Sequence, residues 1–214
     1  MIRFCRWRHR IRHMLCGCSP GCRPDRRGRR VRSFVAIGLP DDLRDALVRL
    51  QAGIPAGRIT PEENLHLTLA FLGEVDRTRL QELHDQLDMF RAVAPPLIVR
   101  GLGTFGGRRP GVLYADIVPD EGLLALRNAV RRAARIAGIA LPHERFHPHI
   151  TLARFNAALA EGEIARIERF LTLSGGVTLP EVWPEHFALF ASELRPDGAR
   201  HEMLADYPFP AASA

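Results

Sequence analysis

Two short strings carry side chains whose types and spacing could do chemistry. They are His66-Leu67-Thr68-Leu69 and His149-Ile150-Thr151-Leu152, with the histidines 83 residues apart. On a β-strand, residues i and i+2 point to one face and their neighbours to the other. Each string would therefore offer an imidazole and a hydroxyl on one face and bury its two aliphatic residues on the other. Histidine changes charge near neutral pH, and a pair can hold opposite protonation states. One can take a proton from an attacking water while the other gives a proton to a departing oxygen. Threonine hydroxyls can donate hydrogen bonds to the non-bridging oxygens of a phosphate, where charge must be held during transfer. That set suits in-line displacement at a phosphodiester, and a 2′,3′-cyclic phosphate needs only water, an acid and a base. A lone strand histidine is more often structural; two such strings on matching strands form a much stronger signal.

The elements needed to position these residues are legible from periodicity. Apolar, β-prone residues 33–39 predict a buried strand ending at Pro40, followed by a helix to Gln51 capped by Asp41 or Asp42. Residues 64–73 predict the strand that carries His66. Asp76 caps a helix with Leu80, Leu83, Leu87 and Phe90 on one face, and His84 on that helix is expected to face solvent. Residues 97–105 predict a strand, and the Gly-rich stretch 106–111 a turn. The order then starts again. It runs through a strand at 112–118, a helix capped by Asp120, a loop at 138–148 and the His149 strand. A helix bearing Ile164, Ile167 and Phe170 follows. Strands are expected at 177–182, 186–192 and 201–206, with Pro196-Asp197-Gly198 as the turn of the last hairpin. Each half reads strand, helix, strand, helix, strand, with its His-x-Thr-Leu string on the middle strand. Two such α+β lobes would leave a cleft between them.

Charge and cysteine usage divide the chain differently. The first 32 residues hold eleven arginines and one acid, while the rest has nineteen basic and twenty-three acidic residues. Every basic residue is Arg, and all four cysteines (Cys5, Cys16, Cys18, Cys22) lie in the tail. Residues 1–31 are expected to be disordered or to follow from a mis-assigned start, with the true start at Val31 on a GTG codon. Residues 32–214 form the folded unit. Its lack of cysteine fits a reducing, cytoplasmic setting, and no run of 18 apolar residues suggests a membrane span. Tail cysteines with His13, and His143, His147 and His149 with Glu144, lack a standard metal spacing, so no metal or cofactor is expected. Phe34 and Phe146 are better read as core than as base-stacking residues.

The chain from about Arg32 onward resembles the 2H phosphoesterase superfamily, and within it the bacterial and archaeal RNA 2′,3′-cyclic phosphodiesterases, also called the 2′-5′ RNA ligase family. The match is carried by the opening Phe34-Val35-Ala36-Ile37, by residues 64–73 (NLHLTLAFLG) and by residues 146–154 (FHPHITLAR). The resemblance implies a bilobal α+β fold, two pseudo-symmetric lobes with antiparallel sheets lining a central cleft and helices outside. It implies metal-independent hydrolysis of RNA 2′,3′-cyclic phosphate ends to 2′-phosphomonoesters. His66 would be the proton donor and His149 the proton acceptor, with Thr68, Thr151 and Arg154 binding phosphate. Arg154 has the wrong strand parity relative to Thr151, so it needs a bulge or a strand end to reach the cleft. The implied partner is RNA with a cyclic phosphate end, or a cyclic nucleotide, and the chain would act as a monomer. Three further functions are weighed: 2′-5′ joining of RNA, hydrolysis of a small cyclic nucleotide, and non-catalytic RNA binding through the Arg-rich arm.

Overall fold

The computed structural model describes residues 30–155, 159–195 and 198–210. The Arg- and Cys-rich stretch 1–29, and Pro196 and Asp197 of the expected turn, lie outside them. The strands are β1 (Val31–Gly38), β2 (Arg58–Ile59), β3 (His66–Val75), β4 (Val99–Phe105), β5 (Val112–Ile117), β6 (His149–Arg154), β7 (His186–Arg195) and β8 (Gly198–Pro208). The helices are α1 (Asp41–Gln51), α2 (Arg77–Asp88), α3 (Glu121–Ile136) and α4 (Glu161–Ser174). The architecture is α+β with wholly antiparallel pairing, as the family resemblance implies. No described helix is long and apolar enough to cross a membrane.

The strand order is β4-β5-β6-β3-β1-β7-β8, with β2 lying against β6. The motif strands β3 and β6 are therefore neighbours, joined by the single pair Leu67↔Ile150. One lobe lies on each side of that junction. Both residues are fully buried, worth roughly 1.5–3 kcal/mol each in removed apolar surface. Leu80, Leu83 and Leu87 of α2 and Leu123, Leu126 and Val130 of α3 join the same core on that face.

Three local expectations change. The third strand of each half does not close its own half: β4 pairs with β5, while β7 returns to β1. Residues 177–182 form only the isolated bridges Leu97↔Val182 and Arg100↔Thr178, so the closing element is the β7–β8 hairpin. Helix α1 starts after Pro40 with no side-chain cap, so Asp41 and Asp42 occupy its first turn, where they favour the positive end of the helix dipole. The caps at Asp76 and Asp120 form as read, accepting from Arg79 N and from Gly122 N and Leu123 N.

Candidate active site

The two motif strands repeat one burial pattern. Along β3, His66 and Thr68 are half-buried, Leu67, Leu69 and Ala70 are buried and Phe71 is exposed. Along β6, His149 and Thr151 are half-buried, Ile150, Leu152 and Ala153 are buried and Arg154 is exposed. Two consecutive buried residues break strict alternation, and the register explains them. Val35 pairs with Ala70 but Ala36 with Thr68, leaving Leu69 as an extra residue in β3. Leu113 pairs with Ala153 but Tyr114 with Thr151, leaving Leu152 extra in β6. These are β-bulges, which re-aim the side chains that follow. The bulge in β6 supplies what parity required: Arg154 returns to the face of His149 and Thr151. The equivalent position in β3 is Phe71, 58% exposed.

Antiparallel pairing about Leu67↔Ile150 sets His66 level with Thr151 and Thr68 level with His149. The four polar residues thus occupy one face in a near-twofold arrangement. Each ring is fixed in the same way. His66 Nδ1 donates to Asn64 O at 2.7 Å, and His149 Nδ1 donates to His147 O at 2.7 Å. A carbonyl can only accept, so each Nδ1 carries hydrogen and each Nε2 is left for proton transfer.

The surroundings of the two rings differ. His66 stacks on Phe34 at 4.8 Å and meets His201 edge-on at 5.2 Å. Phe34 in turn stacks on Phe190 at 5.1 Å. Burial lowers the His66 pKa to about 4; the bond to Asn64 opposes this, and His201, Arg154 and His149 add to it. His149 lies against Phe105 at 4.9 Å and Tyr114 at 5.3 Å. Burial lowers its pKa too, with the bond to His147 opposing, His147 and Arg154 adding, and the Asp116 carboxylate opposing. Burial and Arg154 likewise lower His201. Burial thus holds both motif histidines below the ordinary histidine range. A pocket of about 390 Å³ opens beside His66, lined by Arg44, Glu62, His186, Phe190, His201 and Met203 among others.

Strand β2 completes the floor where β3 leaves β6. Arg58 pairs with Arg154 and Ile59 with Ala153. Gln51 holds this segment down, its amide donating to Thr60 O at 2.8 Å and to Leu152 O at 2.9 Å.

All five predicted site residues come to one face of the sheet. His201, Phe190, Tyr114 and Phe105 were missed, because their approach depends on pairing between distant strands. His84 corrects an expectation: it is buried, with Nδ1 3.0 Å from the Tyr207 hydroxyl. Its signal was present, since Leu80, Leu83, His84 and Leu87 share one helical face. Phe34 is 3% exposed, and the Arg127 guanidinium lies 4.4 Å above the Phe146 ring; packing accounts for both, as read. Among the described residues, no three His, Cys, Asp or Glu side chains converge to hold a metal ion.

Comparison with known proteins places this arrangement. The family model described as LigT like phosphoesterase matches residues 37–114 and 116–200. An RNA 2′,3′-cyclic phosphodiesterase of Aeropyrum pernix is 30% identical over 180 residues, covering 83% of this chain and 98% of that protein. One from Thermus thermophilus is 35% identical over 196 residues, covering 83% and 89%. The crystal structure of apo E. coli LigT superposes with a TM-score of 0.67 at 29% identity, covering 85% of this chain and 98% of that one. With the motifs, their strands and the match along most of its length in agreement, the chain belongs to the LigT-like phosphoesterase family.

Proposed function

We propose that this protein hydrolyses RNA 2′,3′-cyclic phosphate ends to 2′-phosphomonoesters. The observation that carries the reading is the near-twofold pair of histidines, each with Nδ1–H tied to a carbonyl and Nε2 open, set level with a threonine of the neighbouring strand. In this scheme His149 Nε2 takes a proton from water as its oxygen bonds to phosphorus. The bond from phosphorus to O3′ breaks, and His66 Nε2 gives a proton to the departing oxygen. Thr68 and Thr151 donate to the non-bridging oxygens and Arg154 offsets the charge gathering there. The ribose stays attached to phosphorus through O2′, its O3′ faces His66, and the pocket lined by Phe190, His186 and Met203 can seat its base.

His66 must be protonated to act as the acid, yet burial lowers its pKa to about 4. The bound phosphate supplies the negative charge that reverses this, because an opposite charge within a few ångströms favours the protonated ring. Relatives named as RNA 2′,3′-cyclic phosphodiesterases support the substrate assignment.

The test is incubation with a 2′,3′-cyclic nucleotide, and with an RNA ending in one, in the presence of EDTA, followed by identification of the product. A 2′-phosphate is expected. His66→Ala and His149→Ala should each lower kcat by about 10²–10⁴, the usual worth of a positioned acid or base. A 3′-phosphate product, or turnover indifferent to either change, contradicts the scheme.

A further inference from the structure

The carbonyl that fixes each histidine is itself held in place, by a different device in each lobe. In the first lobe Asn64 gives its carbonyl to His66, and its side-chain amide donates to Ala199 O of β8 at 2.8 Å. In the second lobe His147 gives its carbonyl to His149, and its own Nε2 lies 3.2 Å from Asp116 Oδ1. Asp116 is in turn the residue of β5 paired with His149. In both lobes the residue two before the histidine is therefore tied by its side chain to another strand, while its backbone oxygen grips the ring. The tie has clear work to do at His147, which is exposed, follows the exposed residues 142–145 and half-buried Phe146, and stands just outside β6.

We propose that Asn64 and the Asp116–His147 pair are positioning residues, one for each motif histidine. They hold the carbonyl where it fixes the ring plane and the Nδ1–H tautomer, and they act on the reaction through that ring rather than on the substrate. A small error in ring position is costly, since rates respond steeply to misplacement of reacting groups. The competing account is packing: His147 also meets Phe105 at 5.4 Å and Tyr114 at 5.1 Å. Asp116 and His147 are each more than 40% exposed, so changes there leave the core intact.

Two variants separate these accounts. His147→Phe keeps the ring contacts and loses the nitrogen that reaches Asp116. His147→Gln loses the ring and keeps a donor near the Nε2 position. With a 2′,3′-cyclic nucleotide, the Phe variant is expected to lose about tenfold in kcat with KM changed less than about twofold, while Gln recovers to within about threefold. Asp116→Ala should match Phe, and the double variant His147→Phe/Asp116→Ala should be no worse than either alone, the mark of residues acting as one unit. Nitrogen-15 NMR of the histidine rings supplies a readout independent of turnover. His149 should be the Nδ1–H tautomer in the wild type and a mixture in His147→Phe. Asn64→Ala should change the His66 signals and leave those of His149. The proposal is overturned if His147→Phe keeps both kcat and tautomer, if Gln is as impaired as Phe, or if the single losses multiply in the double variant. The kinetic arm rests on the phosphodiesterase reading. A wild type without turnover sinks that reading, while the NMR arm still decides the role of the ties.

Discussion

At the scale of single residues, the site joins chemical likeness to electrical difference. His66 and His149 share a tautomer and a grip, yet His66 is held near 4 by burial while His149 has the Asp116 carboxylate working against its own burial. The pH dependence follows in sign. An unperturbed histidine titrates near 6.5; burial lowers that of His66 to about 4. A bound anion raises that value, so binding takes up a proton, and affinity for an anion of constant charge grows as the pH falls from 7 toward 4. A titration of sulfate, whose charge is constant over that range, should show Kd tightening by calorimetry. His66→Gln should remove the larger part of the dependence, and a Kd flat with pH in the wild type contradicts the coupling. His84 marks a different use of the same residue type. It sits on the buried face of α2 and meets the Tyr207 hydroxyl.

At the scale of elements, the strands deliver the chemistry and their irregularities aim it. Gln51→Leu removes the donor to Thr60 O while keeping the bulk of the side chain. A lost hydrogen bond costs about 0.5–1.5 kcal/mol, and each kcal/mol lowers Tm by about 2–4 °C in a chain of this size. A thermal melt should register that fall, and an unchanged Tm argues against Gln51 as the anchor of β2. Gly103 serves the second lobe. A Cβ there would lie 2.6 Å from the Tyr114 hydroxyl, and the Tyr114 ring packs on His149. Gly103→Ala should displace that ring and lower kcat about tenfold. The control Gly162→Ala, where a Cβ meets nothing within 4 Å, should leave kcat unchanged. Much of this level is legible in sequence. Alternation placed His66, Thr68, His149 and Thr151 on one face, and the Asp caps marked where α2 and α3 begin. Parity even required a break between Thr151 and Arg154, though not where it falls. What sequence withheld was pairing. Nothing local in residues 99–105 says that β4 joins β5, so Phe105 and Tyr114 around His149, and Phe190 and His201 around His66, could not be read beforehand.

At the scale of the whole molecule, the two halves are interlocked. The first half sends β4 to the second lobe, and the second half sends β7 to the first. Each lobe lacks a strand until the other half is present, so the chain should unfold in one cooperative step. Denaturant melts followed by far-UV circular dichroism and by near-UV absorption should coincide, and a fragment ending near residue 110 should stay unfolded by itself. Two separated transitions, or a folded fragment, contradict the interlock. The same exchange bears on the history of the fold. The pair Leu67↔Ile150 sits where a dyad would pass, with equivalent strands on either side and each closing strand donated across it. That is the form of an isologous, strand-swapped homodimer fused into one polypeptide. In such an ancestor, identical subunits would have met at their histidine strands and built one phosphate site between them. On that dyad Arg154 and Phe71 hold equivalent places after the bulges of β6 and β3, so the two halves differ in charge where they meet the phosphate.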